Sequence, residues 1–294
     1  MAIKKINGFK FYIDNDENKT LIIESSRLEE CLDYLKAEKI ESISINRFHG
    51  YKIDNLDFLK KCAFIKKISI SDKISDFSGI YNLKDLNRLL VSDNKHAIDF
   101  SNFNNINEIS IDWHSNHKNL TKCLKLEKLS IWHYKPKKKN IHELPNIENL
   151  KELAITQSTI KTLDGIEKYK NLESLKVHYS SKLETISCIQ NLSETLKTLW
   201  FEVSKKIKDK EQVVLLNNLN LLAYINCGEI PSIDFINKLK NLKDFRFVDT
   251  NVLDGDISPC LNLDYAGFLK KKHYSHTPEE IKAEIAKQKN NIQQ

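Results

Sequence analysis

The sequence predicts an α/β solenoid: about eleven short coils stacked so that their strands form one parallel sheet, with a cap at each end. Three observations predict it. A six-residue pattern, apolar-x-x-apolar-x-apolar, recurs eleven times between residues 40 and 268. Its second apolar position returns every 20 to 25 residues, too short for two full helices per repeat. Between copies the apolar residues fall at every third position, a spacing that suits turns and 3₁₀ pieces better than long α-helix.

Residues 1–38 read as the N-terminal cap. Two extended stretches, GFKFYI and TLIIE, flank the polar turn DNDENK between residues 8 and 24. A helix follows, with Ser25 or Ser26 as its N-cap and Leu28, Leu32 and Leu35 on its buried face.

Residues 39–269 are the repeats. The strands run IESISI, IKKISI, LNRLLV, INEISI, LEKLSI, LKELAI, LESLKV, LKTLWF, LNLLAY, LKDFRF and LDYAGF. Their anchors are Ile43, Ile68, Leu89, Ile109, Leu129, Leu153, Leu175, Leu199, Leu222, Phe245 and Ala266. The returns follow the three-residue rule, as in Ile160, Leu163, Ile166, Tyr169 and Leu172, or Ile230, Ile233, Ile236, Leu239 and Leu242. No coil buries such residues alone, so stacking creates the core. Residues 270–294 are the C-terminal cap. Thr277 caps a helix, Pro278 takes its first turn, Glu279 and Glu280 meet its dipole, and KNNIQQ frays at its end.

This pattern resembles the leucine-rich-repeat family, with its signature L-x-x-L-x-L-x-x-N/C-x-L. The first six positions match in all eleven copies, with Ala266 the weakest. At the Asn/Cys position Asn94 and Cys227 fit, while Lys73, His114, Tyr134 and Ser158 depart. The short returns, such as FSGIYNL (77–83) and LDGIEKYKNL (163–172), are similar to the bacterial, internalin-like subtype. No secretion signal, wall anchor or accessory domain of the internalin kind is expected from this sequence. The resemblance covers about three quarters of the chain and implies a horseshoe with the sheet on its concave face. It is specific for the fold and silent about the partner.

Several functions lose their basis in the composition. No apolar run is long enough to span a membrane, and the N-terminus lacks a signal-peptide core, so the expected location is the cytoplasm. Export by a route that needs no such leader stays open. The seven glycines form no phosphate-cradling loop, so no cofactor is expected. Cys62, Cys123 and Cys260 sit six residues before their anchors, where other coils carry buried apolar residues, and read as reduced core thiols. His114 and His117 form an H-x-x-H without further ligands of suitable spacing, and His117 falls in an apolar register, so its role reads as structural. No catalytic constellation is visible and no enzyme activity is expected. About 25 residues follow the last coil and they lack Cys, so no ubiquitin-ligase domain is expected there.

Strand alternation pushes the residues one before, one after and three after each anchor out onto the concave face. All three Trp fall at or beside such positions: Trp113, Trp132 and Trp200. His133, Tyr134, His178 and Tyr179 lie near them, with Asp112, Glu202, Lys176 and Arg246 among the charges of the same face. Trp, Tyr and Arg are the usual interface anchors. Interleaved charges of both signs match a protein partner better than a phosphate backbone. The net charge of +6, from 46 basic and 40 acidic residues, is likewise too balanced for a dedicated nucleic-acid binder. The expected function is that of a protein-binding module, monomeric alone, in its most concrete form a bacterial immunity protein that neutralises a toxin. The alternatives are a secreted effector that binds a host protein, and nucleic-acid binding through Lys137–Lys139, Lys205–Lys210 and Lys270–Lys272. The run Lys137–Lys139 reads more simply as a solvated loop.

Overall fold

The computed structural model describes residues 2–71, 73–92 and 96–292. Asn94, Gln293 and Gln294, named above, lie outside them. The chain forms two compact units, Met1–Trp132 and His133–Gln294.

The first unit opens with a hairpin of β1 (Ala2–Ile6) and β2 (Phe9–Ile13). Its two loop residues, Asn7 and Gly8, have φ of 51° and 83°. A two-residue hairpin loop needs that left-handed pair, and Asn-Gly supplies it cheaply. β3 (Lys19–Ile22) pairs antiparallel with β2. Helix α1 (Leu28–Ala37) buries Cys31, Leu32 and Leu35, with Leu28 half-buried. Neither Ser25 nor Ser26 caps it. Both lie in a 3₁₀ turn that precedes the helix, and Ser25 Oγ instead accepts the Lys52 N–H at 2.7 Å. The chain then runs parallel through β4 (Ser42–Ile45), β5 (Lys67–Ser71), β6 (Arg88–Ser92), β7 (Glu108–Asp112) and β8 (Lys128–Trp132), each strand in register with the next.

The second unit carries β9 (Glu152–Thr156), β10 (Ser174–His178), β11 (Thr198–Glu202), β12 (Leu221–Ile225), β13 (Gly228–Ile230), β14 (Asp244–Arg246), β15 (Thr250–Val252) and β16 (Tyr265–Gly267). All but β13 and β15 pair in parallel as one run; those two form a separate parallel pair on the return side. Helix α2 (Pro278–Ile292) closes the unit and buries Ile281 and Ile285. Thr277 and Glu280 cap it reciprocally: Thr277 Oγ1 accepts the Glu280 N–H at 3.2 Å, and Glu280 Oε2 accepts the Thr277 N–H at 2.7 Å.

The three-residue spacing becomes a ladder of 3₁₀ bonds. Ile166 N–H donates to Leu163 O, Tyr169 to Ile166 and Leu172 to Tyr169, at 3.0, 3.1 and 3.2 Å. All four side chains are buried, and Cys62, Cys123 and Cys260 take equivalent buried places in their own coils. Within each unit, strand and return thus turn their apolar residues toward the interior.

A second rule governs the exits of six successive strands, β8 to β12 and β14. Six residues four places past an anchor are left-handed without being glycine: His133, Gln157, Tyr179, Val203, Asn226 and Asp249, with φ from 50° to 56°. The kink turns the following residue inward. Tyr134, Ser158, Ser180, Ser204, Cys227 and Thr250 are all buried. Their polar atoms satisfy buried carbonyls, as when Ser158 Oγ donates to Tyr134 O at 2.9 Å and Thr250 Oγ1 to Tyr224 O at 2.6 Å. The long return after His133 is held in the same way. Tyr134 OH donates to Asn140 O at 3.1 Å, and Lys168 Nζ donates to Ile141 O at 2.9 Å and Leu144 O at 2.6 Å. Burial pulls the Lys168 ammonium down to about 8.

Candidate functional site

The outward face of each unit is set by strand alternation. Along β7, β10 and β11 every second residue is buried and its neighbours remain at least partly exposed.

In the first unit Asp112 and Trp132 are directly paired across β7 and β8. Trp132 is 42% exposed, the one Trp classed as exposed. Trp113 is half-buried one residue beyond β7, and its backbone N–H donates to Trp132 O at 2.8 Å. Its ring stands edge-on to His117, 6.0 Å between centroids. His117 uses both ring nitrogens: Nδ1 accepts the Ile98 N–H at 3.1 Å, which leaves Nε2–H to donate to Asp112 O, also at 3.1 Å. That fixes a neutral tautomer, and burial depresses its pKa further. The unfolded imidazole takes up a proton near its ordinary value of 6.5 and the folded one does so only at lower pH. Stability should therefore fall as pH drops below 6.5. The loss in melting temperature between pH 7 and pH 5 should shrink in His117→Gln. An unchanged pH slope would assign the effect to other groups.

In the second unit Lys176, Trp200, Ala223 and Arg246 occupy one paired row across β10, β11, β12 and β14. The Arg246 guanidinium lies 5.7 Å from the Trp200 ring centre and 5.1 Å from that of Tyr265. Asp244 grips it from below at 2.9 and 2.6 Å, which raises the guanidinium pKa and fixes its plane. Ala223, flanked by Trp200 and Arg246, has no exposed surface. Beside this row His178 Nδ1 and Glu202 Oε2 are 3.0 Å apart. Tyr179 is half exposed at the left-handed rim position, and His133 is exposed at the equivalent place.

No family model matches the sequence, and no curated protein matches it. Solved structures do. An internalin, InlF, from Listeria monocytogenes superposes with a TM-score of 0.52 at 15% identity, over 87% of this chain and 82% of its own. The leucine-rich-repeat domain of the type III effector XCV3220 (XopL) gives 0.54 at 16%, over 77% and 82%. The chain has the leucine-rich-repeat fold.

The repeat signature explains where one expected site residue fails. Tyr134 is fully buried, so it is not part of the exposed face. It occupies the Asn/Cys position of the leucine-rich-repeat motif, which points inward in every coil of the second unit that the left-handed rule covers. That register was the signal against it. Lys210, placed above among the lysines of a nucleic-acid grip, is also turned in: its Nζ donates to Ile207 O at 2.6 Å and Glu229 O at 3.1 Å. Two residues were missed. Tyr265 completes the Arg246 stack from the outward position before the last anchor. Phe48 is 94% exposed on a 3₁₀ turn, held there by Asn46 Oδ1, which accepts the Phe48 N–H at 2.8 Å. It lies in the longest repeat interval, the 25 residues from Ile43 to Ile68, where an inserted RFHG has no core register to fill.

Proposed function

We propose that this leucine-rich-repeat protein is a non-enzymatic module that docks a protein partner one to one on the outward, concave face of its sheet. The observation that carries the reading is the Trp200–Arg246–Tyr265 stack. It places two aromatic rings and a guanidinium on the face, preorganised by Asp244. Rigid aromatic and Arg groups are what interfaces use as anchors, because little side-chain freedom is lost on binding. Beside the stack Arg246 is paired with Asp244, and the His178 ring lies against the Glu202 carboxylate. Such a face suits the mixed polarity of a protein and offers a phosphate backbone no surplus of positive charge. In its most specific form the module is a cytoplasmic bacterial immunity protein that neutralises a toxin as a monomer.

Affinity purification of the tagged full chain from its native cell tests this. One protein should co-purify in equal amount and persist through a high-salt wash. Recovery of no specific protein, or of nucleic acid that salt removes, would sink the reading.

A further inference from the structure

The outward face of the first unit carries a hollow of about 200 Å³ over β4, β5 and β6. Its floor is hydroxyl. Ser44 and Ser69 are directly paired on adjacent strands, and Ser71 follows on the same face. Ser44 is only 3% exposed and lines the hollow. Hydroxyls lining a hollow can donate to the acceptor oxygens of a group that enters it.

The charge around the hollow has one sign. Lys67 and Arg88 line it from directly paired positions, where like charges repel. Arg88 is partly offset by Glu108, 2.9 Å away on the far side. Lys67 has no ion-pair partner among the described residues, and no carboxylate lines the hollow. Asp14, which senses Lys67 electrostatically, lines the adjoining depression instead. Elsewhere in this row of the unit, Arg88, Glu108 and Lys128 alternate in sign. The Lys67–Arg88 pair is the exception, and an anion would remove its cost. Tyr12, Ile43, Ile68 and Leu90 give the hollow apolar wall beside its hydroxyls and cations, so the anion can carry an organic group.

We propose that this hollow binds the phosphate group of a phosphate monoester, with Lys67 and Arg88 as counter-charges and Ser44, Ser69 and Ser71 as hydroxyl donors. Two cations and three hydroxyls match the double charge and the several acceptor oxygens of a tetrahedral phosphate better than a flat, singly charged carboxylate. The site lies wholly in the first unit and does not rest on partner docking.

The test titrates the full chain at constant ionic strength with inorganic phosphate, phenyl phosphate, acetate and chloride, read as melting temperature and as NMR shifts. A ligand that binds only the folded state raises the melting temperature. Both phosphates should give saturable shifts, and acetate and chloride should not. Tighter binding of phenyl phosphate would mark an organic monoester as the ligand, and equal binding a free phosphate; either supports the site. Lys67→Gln, an exposed change that leaves the core intact, should weaken phosphate at least tenfold, and Ser44→Ala at least threefold. A response to acetate equal to that for phosphate would overturn the proposal. So would unchanged phosphate affinity in a folded Lys67→Gln protein.

Discussion

Trp200→Ala should lower affinity for the native partner by about 2 kcal/mol or more, roughly 30-fold, while the protein stays folded. The ring lies beneath the Arg246 guanidinium and covers one side of the fully hidden Ala223. Its loss removes contact area and frees Arg246 to move, and both effects weaken docking. Trp200→Phe separates the two contributions of the indole. Trp200 Nε1 is buried with no acceptor among the described residues, so deleting that N–H removes a cost and no bond. The Phe variant should melt no lower than the parent and keep most of its affinity. Titration calorimetry with the co-purified partner, alongside thermal melts, gives both numbers. Wild-type affinity in Trp200→Ala would move the docking surface away from this stack, and Trp132→Ala then tests the first unit separately.

The largest loss of stability is expected from Phe247→Ala, about 3–5 kcal/mol. Phe247 is 1% exposed and stacks on Phe245 at 5.0 Å and on Phe268 at 4.9 Å, with Tyr274 tilted against it at 6.4 Å. It therefore links the last two coil interiors to the segment before α2. In a stack of coils each neighbour interface contributes separately. The loss should first appear as faster hydrogen exchange in β14, β16 and α2, with β9 and β10 protected longer. A uniform increase across the unit would show one cooperative block.

The interior was legible because burial in a repeat fold is periodic. Anchors such as Leu129, Leu175 and Leu199 and the three-step returns are apolar at fixed intervals, and periodicity survives without knowledge of the neighbours. Features set by single backbone torsions were harder. β1 depends on Asn7 and Gly8 taking left-handed angles, and the Asn-Gly pair was the readable sign. Tyr134 looked exposed because it follows Trp132 and His133 in a polar stretch, yet one left-handed residue at His133 turns it into the core. Outward positions were legible by alternation, which lists Trp200, Arg246 and Tyr265 but leaves their stacking unread. That stacking depends on side-chain torsions across strands more than 40 residues apart in sequence, from Trp200 to Arg246. Phe48 escaped for the opposite reason, since an insertion outside the repeat register carries no periodic mark.

The in-register pairing of the strands also bears on how the chain is made. Ser174 pairs with Thr198, Thr198 with Leu221 and Leu221 with Asp244, so each closure spans one repeat and no more. The entropy of loop closure is then nearly the same at every step. A chain emerging from the ribosome can add each coil of a unit as soon as that coil is complete, on a template already formed. In the first unit the β1–β2 hairpin and α1 emerge before any repeat, so the end that would otherwise expose apolar residues is covered from the outset.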